Sequence, residues 1–169
     1  MKTSIFLTLV FLSGLVMSAQ ICNPNIVDNW KNDRYKYNNN GTVTDTLTKL
    51  MWKRCPEGTR GIKCSKGRAP EVTWKRALRV AEKRKFAGYK DWRLPNIKEL
   101  ASLVKRSCYN PSINKRLFPN MPAGFFWASS PSFRDEQHKA FQLNFSNGVE
   151  RERIRHDKTS KVLLVRLGQ

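Results

Sequence analysis

Four cysteines, Cys22, Cys55, Cys64 and Cys108, restrict the fold of this 169-residue chain more than any other feature. Oxidised, four thiols allow three pairings. Cys55 and Cys64 bracket the stretch CPEGTRGIKC, whose proline and glycines suit a closed turn. The leftover pair, Cys22 with Cys108, would tie an N-terminal lead-in to the body of the chain. Zinc is the competing use of such residues, but there is no CxxC and there are only two histidines, His138 and His156. The sequence therefore predicts two disulfides, Cys55–Cys64 and Cys22–Cys108, and no metal centre.

The N-terminus points to a compartment where disulfides persist. Lys2 precedes an apolar run from Ile5 to Met17, then the small residues Ser18 and Ala19. That is the layout of a secretory signal peptide. The run falls short of the about 20 apolar residues that span a bilayer. Cleavage after Ala19 would leave Gln20 first. Cys22 would suit a lipid anchor only with a small residue before it, and Ile21 stands there instead. No other segment predicts a membrane span. The expected division is residues 1–19 as signal peptide, 20–34 as a loosely packed polar lead-in, and 35–169 as one domain large enough for a hydrophobic core. The expected location is the periplasm or the cell exterior.

Charge is the strongest compositional signal. The chain carries 32 Lys and Arg against 13 Asp and Glu, a net +19, and removing residues 1–19 takes away only Lys2 to leave +18. Such an excess attracts polyanions over a Debye length of about 8–10 Å. It can also be a mere solubility habit. Export argues against genomic DNA as the partner, which leaves acidic glycans, anionic lipid headgroups, cell-wall polymers or an acidic protein.

Along the chain, NNNGTVTDTLTKLMW reads as a turn at Asn40-Gly41 followed by one extended strand running through Leu50, Met51 and Trp52. In VTWKRALRVAEKRKFAG, Trp74, Ala77, Leu78 and Ala81 recur at helical spacing, with Thr73 to cap the start and Gly88 to stop the helix. Its other face carries Lys75, Arg76, Arg79, Lys83, Arg84 and Lys85. A charge run of this kind is usually a solvated face; with so few acids between, it is also a candidate polyanion surface.

GYKDWRLPNIKELASLV places Asn96 as N-cap with Glu99 three residues on, a capping box, before the apolar stripe Ile97, Leu100, Ala101, Leu103, Val104. Pro95 holds Leu94 extended. Trp92 is expected in the core, and Asp91 and Arg93 stand close enough to pair with each other or with backbone. Nothing in this joint asks for catalysis.

After Cys108 come loops holding Lys115 and Arg116, then short strands, with Asn147-Gly148 marking a second hairpin. Beyond it Arg151, Arg153 and Arg155 share one strand face, about 7 Å apart at two residues of ~3.3 Å rise each. Such a ladder suits bidentate sulfate, phosphate or carboxylate contacts, and a solvated edge strand would look the same. KVLLVRL, apolar and continuous, reads as a central strand. The expected class is α+β, two helices packed on short antiparallel strands with two disulfides.

Taken in order, TVTDTLTKLMW, CPEGTRGIKC, TWKRAL, FAGYKDWRLPNIKELASLV, CYNPSIN, FPNMP, FFWASSP, NFSNGV and VLLVRL resemble the Lcl C-terminal domain family, found alone or at the tip of bacterial collagen-like adhesins. The resemblance runs from about Tyr35 to Leu167. It implies a C-type-lectin-like, formylglycine-generating-enzyme-like fold, and in adhesin members it goes with binding of sulfated glycosaminoglycans and trimeric assembly. Motif residues such as Trp52, Trp74, Trp92, Leu94, Pro95, Trp127 and Ser129 carry over a fold rather than a mechanism. Two departures stand out. The Asn38-Asn39-Asn40-Gly41 turn lacks the aspartate common in the family, and Ca²⁺ favours carboxylates. The segment after Gly148, often aromatic and neutral in the family, here reads ERERIRHDK. No collagen-like repeat is present, so the oligomeric state stays open.

An enzyme would need a placed acid, base or nucleophile. Asp135, Glu136 and His138 could be drawn as a dyad or metal cluster, and His156 stands in IRHDK, but spacing fixes no partner for either histidine. The expected function is a non-catalytic, cofactor-free binding module for acidic or sulfated polysaccharide or another surface polyanion. The alternative is a periplasmic inhibitor, immunity or accessory protein that caps an acidic protein.

Overall fold

The computed structural model describes residues 19–28, 30–133 and 138–168. The proposed signal peptide, apart from Ala19, and Asp135 and Glu136 lie outside them. Among the described residues the chain is a mixed fold, mostly short strands with two helices. In chain order these are β1 (Ile21–Cys22), β2 (Tyr35–Tyr37), β3 (Thr42–Asp45), β4 (Leu50–Lys53), β5 (Thr59–Arg60), β6 (Lys66–Gly67), α1 (Trp74–Glu82), α2 (Ile97–Ala101), β7 (Cys108–Tyr109), β8 (Phe125–Pro131), β9 (Lys139–Asn144), β10 (Val149–Ile154) and β11 (Val165–Leu167). A four-stranded sheet runs β11-β4-β3-β2 and a three-stranded sheet β10-β9-β8; β1 pairs β7 and β5 pairs β6. Every named strand pair is antiparallel.

Both expected Asn-Gly turns join hairpins: Asn40-Gly41 links β2 to β3, and Asn147-Gly148 links β9 to β10. Gly148 has φ +79°, and a Cβ there would stand 2.6 Å from Val104 Cγ1, so glycine serves conformation and packing together. The single long strand expected from Thr42 to Trp52 is instead a third hairpin, β3–β4. Asp45 makes the turn, its Oδ1 accepting the N–H groups of Leu47 and Thr48, while Lys49 takes φ +58°.

KVLLVRL holds the molecule together differently from a central ladder strand. Only Val165–Leu167 form β11, at the edge of the four-stranded sheet. Upstream, Lys161 exchanges backbone hydrogen bonds with Phe125 and Trp127 of β8, and the Leu164 and Val162 carbonyls accept from Lys53 and Glu57 beyond it. One seven-residue segment thus stitches the two larger sheets together.

Alternation along these strands divides two cores. Trp52, Phe126, Leu143, Leu163 and Val165 face one cluster, closed by Leu100 of α2; Met51, Trp127, Ala140, Val162 and Leu164 face another, closed by Ala77 and Ala81 of α1. With both faces buried, the run Val162–Val165 has no room for a polar residue.

α1 opens as expected, Thr73 Oγ1 accepting from Arg76 N–H, but it closes after Glu82, well before Gly88. The chain must turn there so that Phe86 packs beneath Gly41 and beside Trp92, with Phe86 and Tyr89 exchanging two 3.0 Å backbone bonds. α2 carries the expected capping box. Asp91 and Arg93 do not pair with each other. Asp91 holds Arg166 at 2.8 and 3.0 Å, and Arg93 grips Glu99 at 2.7 and 2.8 Å. The strand backbone runs Arg93 beside Val165, which delivers the next residue, Arg166, to Asp91.

Both predicted disulfides are present, Cys22–Cys108 and Cys55–Cys64. The lead-in is firmer than expected. β1 pairs with β7, the Gln20 amide donates to the Pro111 and Ile113 carbonyls, and Trp30, buried, stacks on Tyr35 at 4.3 Å. Two disulfides fit an oxidising, exported environment, and no helix among the described residues is long and apolar enough to cross a membrane.

Candidate polyanion-binding surface

The helix patch splits into free cations and one structural partner. Thr73, Lys75, Arg76, Arg79, Val80, Lys83 and Arg84 line an open groove of about 660 Å³, with no carboxylate among its described lining residues. Lys75, Arg76, Arg79 and Lys83 are exposed. Their approach to one another follows from helix geometry, because Lys75–Arg79 and Arg79–Lys83 are i,i+4 neighbours and Arg76 sits one turn before Arg79. Arg84 differs. It ion-pairs with Glu57, a residue only 5% exposed that also takes Lys53 Nζ at 3.2 Å. Burial pushes the Lys53 ammonium down from its ordinary range, and the Glu57 carboxylate pulls it back. Arg84 therefore anchors the end of α1 and is no free ligand group. Lys85 is exposed and lies outside the groove lining.

The arginine ladder is occupied along its length. Arg151 donates from Nε to Gln142 Oε1 at 3.1 Å and lies 3.3 Å from the Phe125 ring centre; burial and then Arg153 press its guanidinium below the ordinary value. Arg153 Nε pairs with Asp157 at 2.7 Å. Arg155, just past the end of β10, donates to the Lys139 carbonyl and stacks over Trp74 at 4.7 Å. An evenly spaced free row is thus not what the fold presents.

The end of that row does meet α1. Trp74, Lys75 and Leu78 from the helix and His138, Arg155 and His156 from the β9–β10 end line a cavity of about 330 Å³. Lys75 belongs to both this cavity and the helix groove.

Lys115 and Arg116 lie elsewhere. Lys115 lines a third groove, of about 550 Å³, with Arg68, Lys161, Asn120 and Met121, again without a carboxylate. Lys161 there is held by Glu71 at 2.9 Å. Arg116 contributes a carbonyl to Arg54, whose guanidinium also binds the Leu117 and Ile62 carbonyls and stacks on Tyr37 at 4.4 Å. Sequence reading missed Arg68 and Lys161; Arg68, in SKGRAP beside the second cysteine of the loop, was the visible signal. Among the described residues no group of three or more His, Cys, Asp or Glu gathers as a metal ion would need.

The family model described as the Lcl C-terminal domain matches residues 41–166. No curated protein matches the chain. No solved structure matches it.

Proposed function

The chain belongs to the Lcl C-terminal domain family, and on that basis we propose an adhesin-like, exported and non-catalytic binding module on a C-type-lectin-like scaffold, whose ligands are polyanions, foremost acidic or sulfated glycans. The signal-peptide pattern of residues 1–19 and the two disulfides support export to the periplasm or beyond. One observation carries the reading of the ligand. Lys75, Arg76, Arg79 and Lys83 line one groove that has no carboxylate among its described lining residues, in a chain of net charge +19. A flexible anionic chain laid along α1 would meet a cation at each turn and release its counterions. The Lys115 groove is a second, separate basic site that a long polymer could reach.

The test is elution of the mature, oxidised protein from heparin and from a sulfonate resin of matched charge density. Heparin should hold it to clearly higher salt than sulfonate, and Lys75→Ala/Arg76→Ala/Arg79→Ala/Lys83→Ala should erase the difference. Equal elution from both, unmoved by these substitutions, would mean diffuse charge. An acidic protein partner would then be the better reading.

A further inference from the structure

We propose that the cavity formed by Trp74, Lys75, Leu78, His138, Arg155 and His156 is a subsite for one sugar unit bearing an anionic group, and that filling it draws protons onto the two imidazoles. The proposal rests on the glycan reading above and adds to it a place and a pH dependence.

Both histidines of the chain lie in this one cavity. The backbone brings them there. His138, at φ +43°, turns the chain into β9 and accepts the Arg155 N–H on its carbonyl at 3.1 Å, so Arg155 and His156 stand opposite it. The floor is apolar. Trp74 spends its indole N–H on the Ala128 carbonyl at 2.8 Å, and Leu78 lies one turn along α1. The rim is basic: Lys75 from the helix and Arg155 from the strand end. At about 330 Å³ the space falls at the small end of ligand cavities, the size of a ring rather than a chain. An apolar floor under a cationic rim fits a pyranose with a sulfate or carboxylate at its edge, and Lys75 links this cavity to the α1 groove where neighbouring units would run.

The charges around the imidazoles set the sign. Lys75 faces them from α1, Arg155 from the end of β10, and Lys139 adjoins His138. Among the described residues a nearby acid, Asp157, is held by Arg153 at 2.7 Å, with Lys158 beyond it. Among the described residues no carboxylate lines the cavity. An anion seated beside the imidazoles favours their charged form. By linkage, affinity must rise as pH falls through the range in which imidazoles titrate, between about pH 5 and 8.

The experiment is calorimetric titration of the mature, disulfide-bonded protein with a heparin-derived hexasaccharide at pH 5.5, 6.5 and 8.0, at fixed ionic strength and in two buffers of different ionisation enthalpy. Binding about tenfold tighter at pH 5.5 than at 8.0, with proton uptake, is expected. In His138→Gln/His156→Gln the ratio should fall to about one. A pH-independent affinity in the parent, or a ratio that survives in the variant, overturns the proposal and leaves the glycan reading in place. No binding at any pH removes both. Leu78→Ser tests the floor separately: it should weaken the hexasaccharide severalfold and leave tripolyphosphate unaffected. Equal effects on both ligands would overturn the sugar subsite.

Discussion

The Arg155 guanidinium lies 4.7 Å from the centre of the Trp74 ring, and the Arg155 carbonyl accepts the Trp74 backbone N–H at 3.0 Å. The first residue of α1 is thereby clamped to the end of the β9–β10 hairpin. A second bond, from the indole N–H to the Ala128 carbonyl, fixes the ring's tilt. Trp74→Phe should cost about 1 kcal/mol through the lost hydrogen bond, and Trp74→Ala about 3 kcal/mol. Urea unfolding checks both. Arg155→Ala should cost under about 1 kcal/mol, since its cation–π contact is partly exposed.

Glu57 is buried between Lys53 and Arg84. Glu57→Gln would leave two cations facing each other with no counter-charge, one of them deeply buried. Removing one partner of a buried ion pair costs about 3–5 kcal/mol. The expected loss in the midpoint of chemical unfolding is correspondingly large. A loss below about 1 kcal/mol would mean that water reaches the cluster.

Asp45 gives a pH dependence. Burial by itself raises its carboxyl, but the Arg34 guanidinium at 2.8 Å and the hydrogen bonds from Leu47 and Thr48 outweigh this and hold it below the ordinary value. A folded-state pKa below the unfolded one contributes stability above the unfolded value, and that stability is lost as pH falls through the folded value. Thermal melts should therefore drop steeply once the pH goes below about 4. Asp45→Asn should melt lower at pH 7 and show a flatter acid limb.

The two disulfides should differ in worth. Cys22–Cys108 spans 86 residues and Cys55–Cys64 only 9. On the chain-entropy account, Cys22→Ser/Cys108→Ser should cost about 4.6 kcal/mol and Cys55→Ser/Cys64→Ser about 2.6 kcal/mol. Limited proteolysis should additionally cut the first variant near residues 23–28, where β1 no longer anchors the lead-in.

Among the described residues β10 is an edge strand of its sheet with β9 as its one strand neighbour. Two copies pairing there antiparallel about a two-fold axis would set residues of like parity opposite, which puts arginine against arginine and glutamate against glutamate. The sequence VERERI thus resists self-pairing although Val149 and Ile154 are exposed. Glu150→Thr/Arg151→Thr/Glu152→Thr/Arg153→Thr should associate with rising concentration in light scattering, beyond whatever the parent does.

What the sequence disclosed follows the range of the interactions. The Asn96–Glu99 capping box, the Thr73 cap, both Asn-Gly hairpins and both disulfides are local, or follow from eliminating few choices. The β3–β4 hairpin escaped because its turn has no Gly or Pro; Asp45 in an Asx turn was the signal. Sequence offers Asp91 its neighbour Arg93 or the backbone as partner, whereas its partner lies 75 residues away, where Arg166, 5% exposed, requires a carboxylate. For the candidate site, α1 showed its basic face, but that Arg84 belongs to Glu57, and that both histidines join Lys75 and Arg155, depends on tertiary placement.

Lys161–Leu167 closes the seam between the two larger sheets, and Leu163, Leu164 and Val165 are wholly buried. In order of synthesis this segment follows every other strand and helix named above. Until then β4 and β8 have an unfilled gap between them and both cores are unsealed, so the nascent chain has no stable halfway product to settle into. Closure of the two sheets is thereby set to happen in one step, once residues 161–167 have joined them.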